Sequence, residues 1–195
     1  MVVLRHPPVA APLPDVDTER LHLRRCRPDD LDELASVFAQ PEVWEYPLGR
    51  ALTREETAAF LDRQLEAWDA CGFGLWFAVP HETGRVVGYV GLSVPMFLPE
   101  ILPAVEVGWR FEPSSWGRGF ATEAALSALH EGFETLELDE ITSVPQAENA
   151  RSGRVCERLG MRFARTVTIP ADDRRGELAG QLYVMSRAEW DARAR

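Results

Sequence analysis

Between Thr18 and Ser186 the chain switches repeatedly between two hydrophobic periods. In RLHLRRC (Arg20 to Cys26), Leu21 and Leu23 alternate with polar residues, the period of a half-buried strand. RPDDLDELASVFAQP then spaces Leu31, Leu34, Val37 and Phe38 along one helical face. Pro28 and two aspartates fall in its first turn, where proline is tolerated and negative charge favours the helix dipole. Thr53 and Glu56 make a capping box that opens a second helix, TREETAAFLDRQLEAW, with Phe60, Leu61, Leu65 and Trp68 as its apolar stripe and an end near Gly72. Period two returns in GLWFAVP and VVGYVGLSV, which the turn HETGR joins into an antiparallel hairpin. A third strand, PAVEVGWRF, sets Val105, Val107, Trp109 and Phe111 against Glu106, Gly108 and Arg110. From Ala121 a helix with Ala125, Leu129, Phe133 and Leu136 on one stripe is predicted to about Leu138. EITSVPQ reads as a strand, NARSGRVCERLGM as a short helix stopped by Gly160, and RFARTVTI and GQLYVMS as closing strands around the charged turn PADDRRGE.

This order is strand, two helices, three strands, helix, strand, helix, two strands. It predicts a mixed α/β (α+β) fold with an antiparallel front and a strand-helix-strand crossover in the middle. A length of 195 residues with 46% hydrophobic residues suits one well-cored domain and is short for two. The opening MVVLRHPPVAAPLPDVD has no apolar run longer than four residues and contains four prolines, unlike a signal peptide or a membrane span. It reads as a flexible lead-in over residues 1–17, with the domain at 18–195.

Charge and reactive side chains narrow the partners. The formal charge is −10, from 31 acidic and 21 basic residues, all of the latter arginine, and no basic block stands out. Nucleic acid is therefore not an expected partner, nor is a membrane. Cys26, Cys71 and Cys156 form no C-x-x-C pair, and His6, His22, His81 and His130 have no ligand spacing. Neither a disulfide framework nor a metal site is predicted, and a reducing cytoplasm fits best.

The stretch SWGRGFATEAA, Ser115 to Ala125, lies between the third strand of the front and the central helix. Backbone N–H groups at a helix N-terminus lack intrahelical partners, and the helix dipole favours negative charge there. Gly117 and Gly119 remove Cβ atoms and permit positive φ where the chain must turn, and Ala121 keeps the first helical turn narrow. The segment suits an anion, although such a loop can equally be a turn alone. It matches neither G-x-x-x-x-G-K-[ST], for want of a lysine, nor G-x-G-x-x-G after a strand.

With its neighbours, the segment resembles a known family. WGRGFATEA is similar to the Q/R-x-x-G-x-G/A acyl-CoA pyrophosphate loop of the GNAT superfamily of N-acetyltransferases, through Trp116, Gly117, Arg118, Gly119, Phe120 and Ala121. About 30 residues on, NARSGRVCERLGM resembles a second family segment through Asn149, Ser152, Glu157, Leu159 and Gly160. AVEVGWRF and TERLHLRRCRPDDLDEL resemble the strand before the loop and the opening strand and helix, so the likeness runs from about Thr18 to Ser186. Trp116, Ser152 and EVGW are most similar to the branch that holds the ribosomal-protein N-terminal acetyltransferases. The resemblance implies a single GNAT-like domain, with a mostly antiparallel twisted sheet of about seven strands flanked by about four helices. It also implies acetyl-CoA as co-substrate, without a metal, and transfer of the acetyl group to a primary amine on a peptide N-terminus or small molecule. A homodimer is compatible with it, as is a non-catalytic acyl-CoA-binding or sensing module.

The resemblance assigns acetyl-CoA contacts to Trp109, Phe111, the loop Trp116 to Ala121, Thr122, Asn149 and Ser152. Two positions depart from the family: Trp116 replaces the usual glutamine or arginine, and Cys156 stands where many members carry a tyrosine that protonates the departing thiolate. Ser152 is the natural replacement as acid, unless it only lines or caps its helix. Glu106 is the candidate base for the amine; its alternative is a solvated residue on the polar face of the strand. Trp44 and Tyr46, in PEVWEYPLGR, are candidates for the acceptor side, and core packing is open for each.

Overall fold

The structure, a computed structural model, describes residues 11–193. Its strands are β1 Val16–Asp17, β2 Leu21–Arg25, β3 Leu75–Pro80, β4 Gly88–Ser93, β5 Glu106–Phe111, β6 Glu140–Ser143, β7 Arg162–Ile169 and β8 Leu178–Ser186. They form one sheet in the order β1-β2-β3-β4-β5-β6-β8-β7. Every neighbouring pair is antiparallel except β5 and β6, which run parallel. A parallel pair needs a crossover, and α4, Phe120–His130, extended by a π turn over Glu131–Thr135, supplies it. The other helices are α1 Leu31–Phe38, α2 Glu45–Leu48, α3 Arg54–Cys71, α5 Ala150–Arg158 and α6 Arg187–Arg193.

The expected single mixed α/β domain with a mostly antiparallel sheet is what forms, with eight strands and six helices against the seven and four read from the sequence. Capping chemistry explains why the long elements were readable. Thr53 accepts from the Glu56 N–H while the Glu56 carboxylate accepts from the Thr53 N–H, and Gly72 closes α3 in the left-handed region at φ 74°. The three missed elements are short: β1 has two residues, α2 four with Tyr46 extended inside it, and α6 seven directly after β8.

Part of the expected lead-in is packed against the domain. Leu13 is buried, its N–H donates to Gly72 O at 2.8 Å, Trp76 donates its indole N–H to Pro14 O, and Val16–Asp17 pairs with β2. Residues 13–17 therefore belong to the packed domain, and residues 1–10 lie outside the described part. No helix among the described residues is long and apolar enough to cross a membrane.

Two features of the packing shape the site. Helix α4 lies against β4 and β5 through fully buried Ala124, Ala125, Ala128 and Leu129, small residues that let the helix approach the sheet closely. Strands β5 and β6, in contrast, share a single paired position, Glu106 with Thr142, where the Thr142 N–H donates to Val105 O at 2.9 Å. Beyond it they part. Because Glu106, Gly108 and Arg110 pair with Ser93, Gly91 and Tyr89, and Glu112 N–H bonds Val87 O, the main-chain groups of Trp109 and Phe111 point the other way, into the opening.

Candidate active site

The loop before α4 is built to expose backbone. Gly117 has φ 74° and Gly119, the cap of α4, φ 84°, a region costly for any residue with a Cβ. The Glu123 N–H reaches back to Gly119 O at 3.0 Å, which leaves the N–H groups of Phe120, Ala121 and Thr122 without intrahelical acceptors. A Cβ built on Gly117 would meet nothing within 4 Å, so it would stand in the open mouth of the cleft. Arg20 braces the loop: its guanidinium donates to Arg118 O at 2.7 Å and pairs with Glu123 at 2.5 Å.

This loop forms one wall of a cleft of about 450 Å³. Of the positions the sequence assigns to acetyl-CoA, Trp116, Gly117, Gly119, Phe120, Ala121 and Thr122 line it, as do Trp109 and Phe111 from β5 and Asn149 and Ser152 from α5. Arg118 is the exception. Its side chain turns away to pair with Glu82 at 2.6 Å and lies over the Phe120 ring, leaving only its main chain in the loop. Trp116 takes up the strand edge: its indole donates to Phe111 O at 2.8 Å, and Arg151 lies 4.2 Å from its ring centroid. Arg151, Arg154 and Arg158 also line the cleft, and the sequence reading missed them. Their spacing of three and four residues along α5 puts them on one helical face, a signal legible once the helix is set beside the loop. Free N–H donors, an unobstructed glycine and three guanidinium groups fit the pyrophosphate and phosphate groups of acetyl-CoA.

A second cavity, of about 270 Å³, opens on the other side. The two share Tyr46, Trp109, Arg110, Asn149 and Ser152, so they meet beside the widening gap between β5 and β6. Glu106 lines the second cavity together with Gly108 and Arg110. The polar face of β5 thus lines a partly open cavity. Burial pushes the Glu106 carboxyl up to about 8, against a weaker opposing hydrogen bond from Ser93 Oγ at 3.3 Å.

Ser152 sits in the first turn of α5, where its N–H donates to Asn149 Oδ1 at 3.2 Å, so Asn149 acts as the helix cap. Cys156, one turn further on, is fully buried with its thiol pushed up to about 12 by desolvation, and it borders neither cavity. Tyr46 lines both cavities, its hydroxyl donating to Glu148 O at 3.4 Å. Trp44 does not. Expected on the acceptor side, it packs in the core instead, edge-on to Phe38 and Phe60, with the Arg110 guanidinium 3.9 Å from its ring centroid. A loop tryptophan has more apolar surface to hide than a tyrosine, and here the aromatic cluster hides it. Arg110, unread as functional in the sequence, fixes this loop by donating to Val43 O, Tyr46 O and the Tyr89 hydroxyl oxygen.

Comparisons with known proteins agree with this geometry. A family model described as an acetyltransferase (GNAT) domain matches residues 20–162. The uncharacterized N-acetyltransferase YnaD of Bacillus subtilis is 42% identical over 147 residues, covering 75% of this chain and 82% of that protein. The crystal structure of an acetyltransferase (GNAT family) from Bacillus anthracis, 24% identical, superposes with a TM-score of 0.74 over 90% of this chain and 99% of that one. The ribosomal-protein-S5-alanine acetyltransferase of Vibrio fischeri, 16% identical, shares the fold with a TM-score of 0.72 over 90% of this chain and 98% of that one. With the glycine loop of exposed backbone donors, the parted strands and the matched segment in agreement, the chain belongs to the GNAT family and is an acetyl-CoA-dependent acetyltransferase.

Proposed function

We propose that the protein transfers the acetyl group of acetyl-CoA to a primary amine by direct attack, with both substrates bound together. The observation that carries this reading is the meeting of the two cavities at Tyr46, Trp109, Arg110, Asn149 and Ser152, with Glu106 on the far side from the cradle. Acetyl-CoA supplies the activated acyl group, a thioester. The cradle N–H groups of Phe120 to Thr122 and the α5 arginines hold its phosphates. The outward-facing main chain of Trp109 and Phe111 takes its extended arm, as an added strand would.

On the acceptor side Glu106 removes a proton from the incoming ammonium, so that the nitrogen lone pair can form the new C–N bond as the C–S bond breaks. The raised Glu106 carboxyl matches an amine more closely than an ordinary carboxylate does, and proton transfer between groups of similar affinity is close to balanced. Ser152, at the junction, hands its hydroxyl proton to the departing sulfur and regains, through water, the second proton that the nitrogen loses as the amide forms. Cys156 is too deep to do so.

Thiol release in the presence of acetyl-CoA and a mixed panel of amines tests the proposal. Release that requires both substrates supports it. Tight acetyl-CoA binding with no release for any amine would instead indicate a binding or sensing module.

A further inference from the structure

The second cavity carries information about what enters it. Its charged lining consists of Glu106, Arg110 and Arg175. Two arginines against one carboxyl give this lining a net positive charge although the whole chain carries −10. Arg110 has no carboxylate within ion-pair range among the described residues; its donors go to two carbonyls and a tyrosine hydroxyl. The Arg175 side chain is 9% exposed and only loosely engaged, with Nε 3.3 Å from Asp172 and Nη1 3.3 Å from Pro170 O. In the same lining, Gln146 Oε1 is buried with no donor. A buried amide oxygen without a donor is an open hydrogen-bonding position. The remaining walls include Phe97, Val144 and Leu178.

A volume of about 270 Å³ falls below the roughly 300–1,000 Å³ of pockets for drug-sized ligands. Polyamines and aminoglycosides are disfavoured on charge as well, because two guanidinium groups line the space that a polycation would enter.

Resting on the acetyl-transfer reading above, we propose that the acceptor is a small amine bearing a carboxylate, of amino-acid size with an apolar side chain. Arg175 pairs with the carboxylate, Gln146 Oε1 accepts an N–H, and Phe97, Val144 and Leu178 surround the side chain. The reaction joins the α-nitrogen to the acetyl carbon and breaks the thioester C–S bond; of the two protons the ammonium loses, one goes to Glu106 and the other, through water, replaces the proton that Ser152 gives to sulfur. The products are the N-acetyl amino acid and free CoA.

The test compares leucine, leucinamide, a leucine-starting tripeptide amide and spermidine by thiol release, and measures their binding to the enzyme–CoA complex by calorimetry. Leucinamide is the less basic amine, with more neutral nitrogen at neutral pH, so a preference for leucine can arise only from the site. Leucine is expected to exceed leucinamide at least tenfold in kcat/KM and in affinity, a difference of about 1.4 kcal/mol. Arg175→Gln should bring that ratio near one, while Asp172→Asn, which releases Arg175 from its carboxylate, should increase it. A damaged fold cannot produce opposite signs in the two variants. Equal or faster turnover of leucinamide, the peptide amide or spermidine overturns the acceptor proposal and leaves acetyl transfer standing. Acetyl-CoA binding with no turnover of leucine overturns it too, and failure to bind acetyl-CoA at all overturns the functional reading beneath it.

Discussion

Glu106 is a carboxyl group whose surroundings favour its neutral form, and that has two separable consequences. As the proposed base it must be ionised, so kcat/KM should rise with pH and level off above about 8, where desolvation has moved its titration. Glu106→Gln keeps the shape and removes the base. It should lower kcat by roughly 10²-fold near neutral pH, the usual range for a positioned base, with partial recovery at high pH as free amine becomes abundant. The second consequence is thermodynamic. The native state keeps a proton that the unfolded chain releases above its ordinary 4.5, so native stability should fall as pH rises from about 4.5 to about 8 and change no further from this source above it. Glu106→Gln should flatten that part of the profile, read from melting temperatures at pH 5 and pH 8. A parent and variant with parallel profiles would mean that the carboxyl is not buried in solution. Ser152 and Cys156, four residues apart on α5, make a second contrast. Ser152→Ala should reduce kcat at least tenfold, well beyond its effect on acetyl-CoA affinity. Cys156→Ala should leave kcat alone and lower stability by about 1 kcal/mol, because it empties part of a closed interior. A larger kcat loss from the cysteine change would reverse the assignment.

The loop before α4 functions as a unit, and its chemistry lies in the backbone. Gly119→Val puts a β-branched residue at φ 84°, with its Cβ 3.2 Å from the Arg20 guanidinium. It should weaken acetyl-CoA binding at least tenfold by calorimetry, about 1.4 kcal/mol, while circular dichroism still reports a folded chain. Unchanged affinity would remove the cradle from the cofactor site. The same loop shows what a sequence makes legible. Glycine spacing beside a helix start signals where main-chain donors are exposed, because only residues lacking Cβ suit those angles. Thr53 with Glu56, and the alternation around HETGR, were legible for similarly local reasons. Directions of long side chains were not: Arg118 could as well have faced the cleft as Glu82, and nothing within the motif decides between them. Trp44 was ambiguous because its cluster partners, Phe38 and Phe60, come from two other helices. Arg110 was hidden for the same reason, since its acceptors lie more than 60 positions away at Val43 and Tyr46. What depends on distant contacts cannot be read from spacing.

At the scale of the molecule, net charge is a poor guide to the site. The −10 overall would suggest a cationic acceptor, yet both cavities are lined by arginines that the chain brings together from separate elements. The sheet has a division of its own. Strands β1 to β5 are laddered continuously, as are β6, β8 and β7, and the two ladders are joined at the single position where Glu106 meets Thr142. Few hydrogen bonds therefore hold one ladder to the other, and the chain should open in two cooperative blocks whose amides exchange with solvent at different free energies. A ligand that lies between the ladders and bonds to Trp109 and Phe111 acts as the missing rungs. Saturating acetyl-CoA should slow exchange across β6, β8 and β7 as well as at the residues it touches, merging two opening events into one. Protection confined to the cradle would mean that the two blocks remain independent. If they do merge, the cofactor is a mechanical part of the fold, and the enzyme becomes a single rigid body only when it is loaded for reaction.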